Sequence, residues 1–394
     1  MNVYIVTSKL NFKNRGGSIF DLDLKARELV NLGNKVFVVT VFSNDNDFEN
    51  PLPYKVIEEN VKSRSLVGIQ VGLFKIFKKY SKQADTFYFD GHFLYGAGLY
   101  RKFGGRVPVI SFFNRELVCW PDNVSVFLKN KKENIFKKAK KKLRFLIEKS
   151  FGVFLANYID FHTITCPPLK KAYSDFGLKF KEEPLIMGDL IDYKKTMQDN
   201  GIEKDSYCLR NKKDGIINLF YSGRMVPGKG FDIIVQAFSK IKNKENFKLI
   251  LGGAGEEESQ IKKMVDELGI KNYVEFPGWV RRDELFDFYK KADIFILPKW
   301  RKELTSVLLL EAMSFGLPCV VPGGGGLQWV AGNSALNFED DNPSDLAKKI
   351  EILGGNYNLR EKLSHNCFLR LAELDYKKIV SSLNQKIKEL VKKN

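Results

Sequence analysis

The chain is poor in the residues that make metal and redox chemistry, with three histidines and five cysteines among 394 residues. Cys119, Cys166, Cys208, Cys319 and Cys367 stand roughly 40 residues or more apart. That spacing supplies neither a disulfide framework nor zinc-ligand pairs, and a reducing compartment is expected. His92, His162 and His365 share no ligand spacing with Cys, Asp or Glu. The Asp-x-Asp patterns at Asp21–Asp23 and Asp45–Asp47 fall in a predicted helix and a loop, far from the phosphate motif described below, so no metal cofactor is expected. Long apolar runs are missing as well. The best candidate, 306–321, is broken by Glu311, which leaves no stretch of about 18 apolar residues to cross a membrane. The N-terminus turns polar within its first ten residues and lacks the basic and apolar regions of a secretory signal, so a cytoplasmic location is expected.

Enough remains for packed cores. With 44% hydrophobic, 28% charged and 13% aromatic residues and only 13 prolines, the composition excludes a disordered or fibrous chain. The length exceeds one ordinary core and predicts two domains. Charge is the unusual quantity, since 64 Lys and Arg against 47 Asp and Glu leave +17. Such a balance calls for an anionic partner, be it nucleic acid, a membrane surface or a phosphorylated substrate. The excess is uneven, because residues 101–150 alone carry +10. Within them, 129–150 holds ten basic and two acidic residues, with Ile135, Phe136, Ala139, Leu143, Leu146 and Ile147 at three- and four-residue steps. This is a basic amphipathic helix, either a surface helix packed on its own domain or one drawn to anionic lipid, with Lys137, Lys138, Lys140, Lys141, Lys142 and Arg144 toward the membrane. Nucleic acid is not the expected partner, because no basic segment is interleaved with stacking aromatics in a recognisable reader module.

The order of elements predicts the architecture. An apolar run at Val3–Val6, a loop with Gly16 and Gly17, a helical pattern ending at Gly33 and a second run at Val36–Phe42 make a βαβ unit with a parallel sheet. Strands are also predicted at Thr86–Phe89, Val107–Phe113 and Thr163–Cys166. A second alternation starts at Ile216–Tyr221 and runs through strands near 247–251, 273–276, 293–297 and 319–321, with helices between them. The expected fold is α/β, two Rossmann-like doubly wound domains facing a central cleft. Residues 1–193 with 376–394 would form the first domain, 194–215 a polar linker and 216–375 the second. Ligands of such sheets bind outside the carboxyl ends of the strands.

Two patterns carry chemistry. Ser222-Gly223-Arg224-Met225-Val226-Pro227-Gly228-Lys229-Gly230 lies between a strand end and a helix start, where helix amides favour an anion and Arg224 and Lys229 add two cations, which suits a diphosphate. It is not a P-loop, since the Lys-Ser/Thr pair is absent. Glu303 follows a strand-end loop and Glu311 sits in the next helix among leucines, where an unpaired carboxylate is costly. Carboxylates accept vicinal hydroxyls of sugars and riboses well.

The stretches FYSGRMVPGKGFDIIVQAF (220–238), FKLILGGAGEE (247–257), KADIFILP (291–298) and ELTSVLLLEAMSFGLPCVVPGGGG (303–326) together resemble the nucleotide-sugar-binding domain of retaining glycosyltransferases of family four, which have the GT-B fold. The resemblance implies transfer of a sugar from a nucleotide-diphosphate donor to a hydroxyl of a glycan or lipid-linked acceptor, with retention and without metal. Arg224 and Lys229 would bind the diphosphate, Glu303 the donor sugar and Glu311 the ribose. Gly16, Gly17 and Gly223 would admit the phosphates, Pro277, Gly278 and Trp279 would border the base, and Leu304, Thr305 and Ser306 would line the sugar. His92 and Asn114 would lie on the acceptor side. The final helix would cross back to the first domain.

The chain departs from the family pattern at three points. Leu304-Thr305-Ser306 replaces Gly-Phe-Gly, Asn114 replaces a histidine, and Trp329 stands where an acid is common. Two other readings compete. A sugar phosphorylase or nucleotide-sugar epimerase would share the fold yet need no separate acceptor, and a basic nucleic-acid-binding protein would show steep salt dependence.

Overall fold

A computed structural model of the chain describes all residues except 14–16, 50, 64, 115–138, 140–142, 144–145, 205, 208–214 and 299–304. The described residues form two compact units, the second beginning at Asp192 and ending at Leu374.

In the first unit β1 (Asn2–Thr7), α1 (Gly17–Asn31), β2 (Lys35–Thr40), β3 (Lys55–Glu58), α2 (Leu66–Tyr80), β4 (Thr86–Asp90), α3 (Leu94–Lys102) and β5 (Val109–Phe113) follow one another. A π-turn at Glu148–Gly152 leads into α4 (Val153–Ala156), then β6 (Phe161–Ile164), α5 (Pro167–Asp175) and β7 (Leu185–Ile186). The seven strands are parallel in the order β3-β2-β1-β4-β5-β6-β7. Helices cover both faces of such a sheet, so its central strands must be apolar at consecutive positions. All five residues of β5 are buried, as are five of six in β1. The order reverses between β1 and β4, which makes their carboxyl ends the switch point of this sheet.

The second unit contains α6 (Tyr193–Asn200), β8 (Ile217–Ser222), α7 (Phe231–Lys240), β9 (Phe247–Gly252), α8 (Glu258–Glu267), β10 (Val274–Glu275), α9 (Arg282–Lys291) and β11 (Ile294–Ile296). It continues through α10 (Val307–Ser314), β12 (Cys319–Pro322), α11 (Gly326–Ala331), β13 (Ala335–Phe338), α12 (Pro343–Gly355) and α13 (Tyr357–Glu373). Its six parallel strands run β10-β9-β8-β11-β12-β13, with the reversal between β8 and β11.

Part of the expected linker is folded. Asp192 caps α6 by accepting from the Lys195 amide at 3.0 Å, and the helix ends at Gly201. Tyr207 is buried and donates its hydroxyl to the Asp293 carbonyl at 3.0 Å. Helix α6 and Tyr207 therefore carry structure of the second unit, and the polar composition of 193–200 reflects an exposed helix face.

The last helix, α14 (Tyr376–Lys393), lies in the first unit. Its Val380, Leu383, Ile387 and Leu390, at helical spacing, join the core that Val3, Ile5, Leu22, Ala26 and Leu29 build under α1. Asn34 donates to Asn384 at 2.9 Å inside that contact. The Asp-x-Asp carboxylates of α1 are engaged internally, Asp21 with buried Lys25 at 2.9 Å and Asp23 with Arg27 and the Tyr54 hydroxyl.

Candidate functional site

The reversal between β8 and β11 places two loops side by side at the carboxyl edge of the second sheet. Residues 223–230 follow β8, and the segment beginning at Leu297 follows β11. Backbone bonds lace the first loop to its neighbours. Gly223 N–H donates to Gly252 C=O at 3.0 Å, Met225 N–H to Ala254 C=O at 2.9 Å, and Gly253 N–H to Gly278 C=O at 2.6 Å. The ends of β8, β9 and β10 thus form one rigid floor.

Glycine is required where these loops meet. Gly253 has φ +134, and a Cβ there would stand 1.9 Å from the Gly223 oxygen. Gly230 has φ +74, and its Cβ would press on Pro298 at 3.0 Å, so the loops after β8 and β11 touch at this point. Met225 is fully buried beneath the loop and anchors it. Arg224 beside it is exposed and Lys229 half-buried, while the Lys229 carbonyl accepts from the Tyr221 hydroxyl at 2.9 Å. The loop therefore holds two cations on a fixed backbone at the switch point, an arrangement able to receive a doubly charged anion.

The amino end of α7 carries an acid of its own. Asp232 sits in its first turn, and burial above all, with the nearby Asp341, pushes its carboxyl pKa up. Asp232 thus stands at the positive end of this helix, next to the loop that carries Arg224 and Lys229. Glu257, whose amide donates to the Met225 carbonyl at 2.9 Å, is likewise shifted upward by burial and by Asp232 and Glu256. Neither Asp232 nor Glu257 was marked by sequence pattern, because acids in a first helical turn are ordinary.

Glu311 occupies the middle of α10, where everything from Leu309 to Ser314 is buried. It is 2% exposed. Arg282, at the start of α9, donates to its Oε1, while the arginine side chain keeps 41% exposure. Tyr289, one helix over and fully buried, spends its hydroxyl on the Leu308 carbonyl at 3.2 Å. Burial pushes the Glu311 carboxyl up to about 7, against the opposing pull of Arg282. Arg282 is a partner that sequence reasoning missed. A carboxylate inside an apolar helix demands a cation, but Arg281 and Arg282 are equivalent candidates on paper.

The remaining expected residues are placed as follows. Gly16, Glu303, Leu304, Lys137, Lys138, Lys140, Lys141, Lys142 and Arg144 lie outside the described residues. Thr305 and buried Ser306 directly precede α10. Pro277, Gly278 and Trp279 follow β10, with Trp279 exposed and Gly278 tied to Gly253. Arg224, Lys229, Gly223 and Gly278 are brought together by the laced floor. Gly17 opens α1 in the first unit, and His92 and Asn114 stand there just past the carboxyl ends of the adjacent strands β4 and β5, with His92 exposed and Asn114 half-buried. Trp329 has a structural explanation, since Arg370 packs over its ring at 5.3 Å and donates to its carbonyl at 2.6 Å.

Comparison with known proteins agrees with this geometry. Residues 209–369 match the family model of group 1 glycosyl transferases. An uncharacterized glycosyltransferase of Methanocaldococcus jannaschii is 28% identical over 150 residues, 38% of each chain. A lipopolysaccharide core biosynthesis glycosyltransferase of Rhizobium meliloti, LpsE, is 29% identical over 36% of this chain and 41% of its own. The chain thus spans about half or less of the curated relatives it matches. Among solved structures, the sucrose-phosphate synthase of Thermosynechococcus elongatus superposes over all of both chains with TM-score 0.74 at 16% identity. The Anabaena protein HepE in complex with UDP does so with TM-score 0.68 at 16% identity. Those likenesses establish the fold, two doubly wound α/β units of GT-B type.

Proposed function

We propose that this chain, whose residues 209–369 match the model of the group 1 glycosyl transferases, moves a sugar from a nucleotide-diphosphate donor to a hydroxyl of a glycan or lipid-linked acceptor, with retention at the anomeric carbon. The observation that carries the reading is the pair Arg224 and Lys229, held on a glycine-fixed loop at the switch point of the second sheet.

Breaking a sugar–diphosphate bond leaves negative charge on the departing phosphates as the sugar becomes oxocarbenium-like. Cations already fixed at that point stabilise the developing charge without reorganising, which makes Arg224 and Lys229 the main source of acceleration. Glu311 accepts the ribose hydroxyls. Its buried setting strengthens those charge-assisted bonds. Glu303 and the Leu304-Thr305-Ser306 segment contact the donor sugar. Pro277, Gly278 and Trp279 border the base, Gly16 and Gly17 approach the phosphates, and His92 and Asn114 serve the acceptor. No metal is needed in this scheme, because the two cations do the neutralising. The protein works from the cytoplasm, peripherally on the inner face of the cell membrane, in the synthesis of a cell-surface glycan.

The test is thermal stabilisation by a panel of nucleoside diphosphates and their sugars, headed by UDP because HepE, a protein of like fold, holds it. A donor at 100 times its Kd should stabilise by about 2.7 kcal/mol, and Arg224→Ala and Lys229→Ala should each remove most of that shift with the unliganded midpoint unchanged. A panel with no stabilising member, or full turnover in both variants, would overturn the reading. Donor consumption that continues at full rate without any acceptor would point instead to a phosphorylase or epimerase.

A further inference from the structure

A carboxyl group in the middle of an apolar helix exists either as a neutral acid or as an anion with a cation brought to it. For Glu311 the cation comes from α9. Arg282, the first residue of that helix and 29 positions away in sequence, donates to Glu311 Oε1. No donor among the described residues bonds Oε2. The guanidinium thus commits one oxygen of the carboxylate, and acceptor capacity remains on the other.

Helix α9 itself gains nothing from Arg282, because a cation in the first turn of a helix opposes the helix dipole. Arg281, the residue before it, belongs to α9 instead. Its amide donates to Glu284 Oε2 at 2.9 Å, and its side chain lies 3.7 Å from the same carboxylate. Arg282 turns away to α10, where it is the only charge among the described residues that acts on Glu311. Tyr289 of α9 and, next to it, Cys319 of β12 are held neutral by burial. Helices α6, α11 and α13 also pack on α10, and none of their charges acts on the buried carboxyl.

We infer that Arg282 is a positioning residue for the nucleotide: by fixing the orientation and the charge of Glu311 it makes that carboxylate an acceptor for both ribose hydroxyls, and so sets a preference for ribonucleotides. This role rests on Glu311 meeting the ribose, as proposed above. An ionised carboxylate only accepts hydrogen bonds, whereas a protonated one has turned an oxygen into a donor. Burial holds the Glu311 proton until about 7 even with Arg282 in place. Without the guanidinium the carboxyl stays neutral at that pH and loses the planar fork that fixes its rotation.

The full-length wild type, Arg282→Ala, Arg282→Lys and Arg281→Ala are titrated by calorimetry with UDP, GDP and ADP, and with the 2′,3′-dideoxy form of each, between pH 6 and pH 9. The wild type should favour the ribose form by about tenfold or more, with the preference fading as pH falls below about 7. Arg282→Ala should lose the preference at pH 7, regain part of it toward pH 9, and bind the dideoxy form as the wild type does, which also shows that the site is folded. Arg282→Lys, which keeps the charge without the fork, should fall between the two, and Arg281→Ala should match the wild type. Equal losses on the ribose and dideoxy forms would put Arg282 against the diphosphate or base and overturn the inference, as would an undiminished preference in Arg282→Ala. A wild type that binds nucleotides without regard to the ribose hydroxyls overturns it too, while leaving Arg224 and Lys229 as the diphosphate site. A wild type that binds no nucleotide overturns the donor reading, and this role of Arg282 with it.

Discussion

Glu311 should make the second unit less stable as the solution becomes neutral, and the effect follows from its burial. The unfolded chain releases this proton near 4.5, whereas the folded chain holds it until about 7. Between those values the native state carries a proton that the unfolded state has lost, so stability falls as pH rises through that window. Below it both states are protonated, and above it the full effect is present. The shift corresponds to about 3 kcal/mol. Arg282 is already counted in that figure, and Tyr289, the nearest other titratable group, stays neutral throughout because burial drives its hydroxyl pKa well up. Glu311→Gln keeps the shape and removes the titration. Its partner would suffer little, because the Arg282 side chain already reaches water. The unliganded variant should therefore melt about 6–12 °C higher than the wild type at pH 8 and nearly level with it at pH 4. Calorimetry of both proteins at pH 4, 5, 6, 7 and 8 measures this. Parallel pH slopes, or a variant that melts lower at pH 8, would refute the argument that the carboxylate is held at a loss. The same substitution should abolish donor binding, so that a more stable protein is an inactive one.

Other substitutions probe the frame. Gly253→Ala should break the laced floor, lowering the thermal midpoint and removing nucleotide stabilisation together, since its methyl group would overlap the Gly223 oxygen. Leu383→Ala in α14 should cost about 2–5 kcal/mol in denaturant unfolding of the first unit. His162, stacked on Phe113 and bonded to Ser111 at 2.7 Å, has its pKa pulled down to about 3 by burial and by Lys181. The first unit should accordingly lose stability as pH falls from 6.5 toward 3, by up to about 5 kcal/mol. Acid titration of His162→Phe should show a shallower loss, and an unchanged one would mean that the imidazole is not the acid-sensitive group.

Much of the architecture was legible because central parallel strands must be apolar on both faces. Runs such as VYIV, VFVV, INLF and FKLIL have no other use in a protein of this composition. Edge elements escaped notice for the converse reason. β3, with sequence KVIE, is only half-buried, and β7 is two residues long. Helix α2, LVGIQVGLFKIFKKY, carries two glycines and several β-branched residues, and neither helical nor strand propensity identifies it. In the site, Arg224 and Lys229 could be found because a strand end and a helix start bracket them. The pairing of Arg282 with Glu311 spans 29 residues, and only the folded chain distinguishes Arg282 from Arg281.

The return of α14 to the first unit has a consequence for how the protein is born. The side chains of α14 that close the core beneath α1 leave the ribosome only after the whole of the second unit has been translated. At about 5–20 residues per second, the interval between Met187 and Leu383, both members of that core, lasts on the order of 10–40 s. Through that time the nascent N-terminal half presents an unfilled apolar trough, and by its end the second unit has every strand it needs. The second unit therefore completes its chain before the first, and termination just short of α14 would release an intact second unit attached to an unfinished first one.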